Sequence, residues 1–272
     1  MPDLPRKPRL VVPTIPPAGP ALPRRFVIAG TIVTLGAAAA RPVYAESGEG
    51  GEGGEGGEGA AALEGADPAV EFLTEVGLYE AQVLIAAALY AAGEAATARE
   101  HLEYSHHAAY EDLEHGLAEH GVPAFEAEAK GFAAAVAGED PAAVAAAAEA
   151  VHAGAARASE GLSPADIAGA VQALLRIASE DYTGGVTDGE VTAPQEYRDA
   201  WGFTAAAKGL AGQLAASADA KVAAAGQKAL AAIAPLDALF PSLTSARAEG
   251  DAADFLGAAA RIELAASGLP RS

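Results

Sequence analysis

Residues 67–94 read DPAVEFLTEVGLYEAQVLIAAALYAAGE, and the punctuation of this stretch sets the fold class. Asp67 before Pro68 is an N-cap with proline in the first turn. The next two dozen residues are mostly Ala, Leu, Glu and Val, with strong helix formers dominant and no long β-branched run. The pattern predicts a helix to about Ala92, broken at Gly93. A second helix is expected to start near Glu94 and run to Glu119.

The same grammar repeats downstream. His120-Gly121-Val122-Pro123 is a stop and a restart, with a helix to about Ala137. Gly138-Glu139-Asp140-Pro141 opens another that ends near Gly161, and Ser163-Pro164 opens one that ends near Tyr182. A loop is expected over 183–193, then a helix from Pro194 to about Ser217, and further helices over 219–233, 235–248 and 251–267. The fold class is therefore all-α, a bundle of antiparallel helical hairpins. Turns such as Tyr90-Ala-Ala-Gly93-Glu94, Val136-Ala-Gly138-Glu139-Asp140 and Ala248-Glu-Gly250-Asp251 echo one another. They look partly tetratricopeptide-like, although their spacing is irregular.

The first 66 residues are of another kind. Arg24-Arg25-Phe26 precedes an apolar run from Val27 to Ala40, and Val43-Tyr44-Ala45 ends it with small residues. A run of about 14 is short for a membrane span, which needs about 20 residues. Residues 1–45 thus read as a signal peptide of twin-arginine type, placing the mature chain in the periplasm or otherwise outside the cytoplasm. Residues 46–66 carry a Gly-Gly-Glu repeat and read as a flexible linker. Residues 67–272 are the helical domain, long enough to bury one real core.

Charge follows the same division. The chain has 17 Lys and Arg against 37 Asp and Glu. Residues 1–45 hold six of the basic residues and one of the acidic ones, which leaves 11 against 36, a net −25. Such a polyanion repels phosphate backbones and anionic lipid, so nucleic acid is excluded as a partner and the mature chain is not expected to insert in a membrane. A metal cation or a basic protein is the fitting partner. There is no cysteine, which rules out disulfides, iron–sulfur clusters and haem attached through thiols.

Five of the six histidines fall in one window: His101, His106, His107, His115 and His120. On one continuous helix, Glu103, His107 and Glu111 share a face, and His115 lies one further turn along. His and carboxylate at i, i+4 suit iron, copper or zinc. Glu103, His107, Glu111 and His115 are therefore the candidate metal ligands. Within this window Arg99-Glu100-x-x-Glu103 is similar to the iron-handling signature of iron permeases.

A second window runs from Ser179 to Tyr197. Asp181, Tyr182, Gly185, Val186, Asp188, Gly189, Glu196 and Tyr197 form a series of helix end, tight turns and helix start. It resembles the motif of the extracytoplasmic helical region associated with the oxidase-dependent iron permease family. The resemblance is good over about 165–205 and looser over 78–135, and no transmembrane helices are expected after the leader. It implies a soluble, stand-alone relative that serves iron or other metal uptake, with a membrane iron permease as a partner. Asp181 and Glu196 join the metal candidates if this loop folds onto the histidine helix. The same window also reads as a connector, with Tyr182 and Tyr197 packed and Asp181 capping.

No Gly-x-Ser-x-Gly elbow, phosphate-binding glycine loop or His-Glu-x-x-His occurs, so no catalytic residues are assigned and the chain is read as non-enzymatic. Trp201, Phe203 and the Ala-rich stretch around His152 read as core. The competing reading is a tetratricopeptide-like scaffold that presents an acidic surface to a basic protein.

Overall fold

The computed structural model describes residues 63, 65–105, 107–138 and 140–271. The expected leader, and all of the linker except Leu63, Gly65 and Ala66, lie outside the described residues. Nine α-helices occur among those described: α1 (Pro68–Ala91), α2 (Ala95–Tyr104), α3 (Glu114–Glu119), α4 (Glu126–Gly138), α5 (Pro141–Ala155), α6 (Pro164–Gly185), α7 (Pro194–Ala215), α8 (Ala220–Ile233) and α9 (Ala253–Ala266). One two-residue hairpin, β1 (Val186–Thr187) and β2 (Glu190–Val191), joins α6 to α7.

The capping residues read from the sequence do their expected work. Asp67 and Asp140 each accept the amide two residues on, at 3.0 Å. Ser163 and Asp166 form a reciprocal capping box at the start of α6, satisfying two amides that a helix start leaves open.

Helices α6 to α9 close a ring. α6 packs most extensively on α7, α7 on α8, α8 on α9, and α9 returns to α6. Helices α7 and α8 approach closely at Gly226. A Cβ on Gly226 would lie 2.2 Å from the amide nitrogen of Ala215, so only glycine lets these two backbones meet. On the α6–α7 side of the ring lies α1, which also contacts α5 and α2, while α4 packs on α5. Eighteen residues of α1 are buried, which explains why its sequence is apolar nearly all round rather than on one stripe. That composition makes α1, and also the segment Ala220–Leu239, long and apolar enough to cross a membrane. In the fold almost the whole apolar window of α1 is covered by protein.

Three element expectations change. The helix expected over 94–119 ends at Tyr104. Ser105 and Ala109 are extended, Tyr110–Leu113 is a 3-10 turn, and α3 is separate. The Ser105 hydroxyl accepts the His107 amide at 3.2 Å, a local bond that competes with helix continuation. The loop expected over 183–193 is shorter, because α6 continues to Gly185 and the hairpin comes directly after it. The helix expected over 235–248 is a 3-10 turn, Ala234–Leu239, followed by irregular chain to Ala252. Pro241 and the Ser242-Leu243-Thr244-Ser245 run break it, and its carbonyls are taken by side chains of α6 and α7.

Candidate functional site

The second sequence window builds a joint. Tyr182 on α6 and Tyr197 on α7 are buried with Phe240 and Phe255, ring centroids 5.2 to 6.2 Å apart. Each phenol holds the irregular segment after the 3-10 turn. Tyr182 Oη donates to the Glu249 carbonyl at 2.5 Å and Tyr197 Oη to the Ser242 carbonyl at 3.3 Å. Arg198 Nε donates to the Leu243 carbonyl at 3.1 Å, and Ser179 Oγ to that of Ala252 at 2.9 Å. Burial pushes both phenols up, Tyr182 to about 12, so neither ionises near neutrality.

The glycines of the motif are part of this joint. A Cβ on Gly185 would lie 2.7 Å from the Tyr197 backbone nitrogen. The Gly185 carbonyl accepts the Thr192 and Ala193 amides at 2.9 and 3.2 Å. Asp188 and Gly189 both take positive φ at the hairpin turn, as a two-residue turn of this type requires. Asp181 is buried on α6, and Glu196 is half-buried with its carboxylate against Gly184.

The histidine window is dispersed by the break at Ser105. Glu103 and Glu111 are exposed, on α2 and on the 3-10 turn respectively. His107 is half-buried, its ring edge-on to Phe203 at 5.8 Å. It lines a cleft of about 180 Å³ with Glu75 and Asp112. His115 is 85 % exposed and meets Glu119 at 3.2 Å. His120 stacks on Phe72 at 4.2 Å. Glu103, His107 and Glu111 could share one face only on a continuous helix, and the break removes it. Among the described residues, no three His, Asp or Glu side chains group as a metal ion would need.

Sequence reasoning missed two buried polar clusters on α1. Gln82 and His101 are fully buried. Gln82 Nε2 donates to Asp199 at 2.8 Å, which turns its carbonyl oxygen toward His101 Nε2, also at 2.8 Å. His101 therefore carries its proton on Nε2. Its Nδ1 is buried without a hydrogen-bond partner. Burial and the nearby Arg198 guanidinium push His101 down to about 4, so the ring is neutral. The other cluster is Glu80 with His152 of α5, a close pair. The hydrogen bond that His152 Nδ1 donates to the Glu80 carboxylate pushes His152 up, against the opposing effect of burial. The signal available in the sequence was two polar residues inside the apolar run of α1.

A cavity of about 310 Å³ opens beside this network. Its walls come from α1, α2, the 3-10 turn and α4, and include Tyr79, Gln82 and Tyr110.

A closed four-helix ring with a clamped α6–α7 joint defines a class, a helical bundle domain carried on α6 to α9. Residues 157–269 match the family model of the iron permease-associated 4-helix bundle domain. The match covers the ring and contains the whole of the second sequence window. Comparisons with curated proteins and with solved structures give no match.

Proposed function

We propose that this chain is an exported, non-enzymatic accessory to iron uptake that works beside a membrane iron permease outside the cytoplasm. The observation that carries this reading is the iron permease-associated bundle at residues 157–269, with the motif tyrosines at its joint. Two sequence features support it. Arg24-Arg25-Phe26 and the apolar run after it suit an export leader. The net charge of −25 after residue 45 attracts cations to the protein surface. Metal binding belongs to the same proposal as an activity of single or paired side chains, because Glu103, His107, Glu111 and His115, and Asp181 and Glu196 at the joint, do not group as one site among the described residues. His107 shares its cleft with Glu75 and Asp112, and His115 meets Glu119.

The test is cell fractionation together with co-purification from iron-limited cells. The proposal expects the chain outside the cytoplasm, shortened at about residue 45, and recovered with a permease. A full-length cytoplasmic chain recovered without any permease would overturn it.

A further inference from the structure

The 310 Å³ cavity between α1, α2 and α4 lies at the small end of the range for small-molecule sites, about 300–1,000 Å³. Most of its wall is apolar: Val83 and Leu102 on one side, Phe132 and Val136 on the other. A bare metal ion would leave that apolar space unfilled, so the walls suit an organic body.

The polar groups choose its charge. Tyr79 and Tyr110 line the cavity with their rings at 69° to one another and 5.7 Å apart. Aromatic faces attract cations. The Tyr110 hydroxyl accepts the Phe125 amide at 2.8 Å and keeps its own proton to donate. At the rim stand Glu111, Glu126 and Lys130. Lys130 is held by Glu126 and also feels the charge of Glu111, while Glu111 itself forms no close ion pair among the described residues. Beyond burial, which comes first, the negative charges of Glu111 on Tyr79, and of Glu114, Glu126 and Glu128 on Tyr110, push both phenols up. The cavity thus sits in a negative field with one rim carboxylate left to pair.

We propose that this cavity binds a small organic cation, an aromatic or branched aliphatic body bearing one protonated amine. The body fills the space between Val83, Leu102 and Phe132, and the ammonium lies between the phenol rings and Glu111. An anion of the same shape is rejected by the rim carboxylates, and a neutral one lacks the charge pairing.

The experiment is titration of the full chain by calorimetry with 2-phenylethylammonium, 2-phenylethanol and phenylacetate, three bodies of one size with different charge. The expected order is cation, then neutral, then anion, with saturable binding of the cation at a Kd of about 1 mM or tighter. Two variants at exposed positions keep the fold intact, as circular dichroism checks. Ala133→Phe fills the cavity from α4 and weakens all binding by about tenfold or more. Glu111→Gln weakens the cation alone, by about two- to fivefold. The proposal is overturned if the native chain shows no saturable binding of the cation, if the anion binds as well as the cation, or if Ala133→Phe leaves binding unchanged. None of these outcomes bears on the iron reading, which shares only Glu111 with this cavity and is carried by the bundle at residues 157–269.

Discussion

The two windows that stand out in the sequence fold in opposite ways. Residues 179–197 become a joint in which two tyrosines, Gly185 and the adjoining Arg198 each meet a specific backbone partner. Residues 99–120 become a shell in which the candidate ligands face solvent or separate neighbours. The difference lies in the surroundings. In the first window Ser179, Tyr182 and Tyr197 are buried under α9 and the 240–252 segment, so their polar groups must find partners. The second lies over the outside of α1, α4 and α7, where water satisfies most of what the chain does not.

This contrast predicts a gradient of effects. Tyr197→Ala should lower unfolding stability by about 3–5 kcal/mol in denaturant titration, as for other large buried aromatics. Tyr197→Phe keeps the ring and should lose only about 1 kcal/mol, the value of one hydrogen bond. An equal, small loss in both variants would break the comparison, because the ring would then not be packed. Gly185→Ala should be clearly more destabilising than Gly184→Ala. The new Cβ at 185 meets the Tyr197 backbone, whereas at 184 it meets only the Glu196 carboxylate, which can swing away.

The buried histidines sharpen the comparison through pH. His101 is pushed down to about 4 in the fold, below its ordinary value of about 6.5. The unfolded chain then binds the extra proton first, so the stability that His101 confers is full above about pH 6.5 and is lost as pH falls toward 4, about 3 kcal/mol in all. His152 is raised, so its contribution is full below about pH 6.5 and is lost as pH rises through its folded value. Chemical denaturation from pH 4 to 8 should show the acid-side loss reduced in His101→Gln and the alkaline-side loss reduced in His152→Gln. The smallest effect belongs to the outer shell. His115→Ala, at a site 85 % exposed, should change stability by less than about 0.5 kcal/mol.

The helices were legible because their signals are local. Asp67, Asp140 and Ser163 cap the helices that their positions in the sequence predict. Of the three segments that differ, the one over 235–248 was decided by tertiary partners. Pro241 stood in view as a breaker, but the carbonyls of Ser242, Leu243, Glu249 and Ala252 are met by Tyr197, Arg198, Tyr182 and Ser179 from α6 and α7. The break at Ser105 left no stronger mark than a serine before two histidines. It also removed the continuous helix on which the ligand spacing depended. His101 illustrates the same limit. In the sequence it is one of five clustered histidines, and its pairing with Gln82 joins residues 19 positions apart.

The link between this bundle and iron uptake is tested most directly in cells. Iron-limited cells lacking the chain are compared for uptake of radiolabelled iron with cells in which the full chain or Tyr182→Ala/Tyr197→Ala is restored. An accessory to uptake predicts reduced initial uptake without the chain, recovery with the native sequence and little recovery with the variant. Uptake that is the same with and without the chain would contradict it.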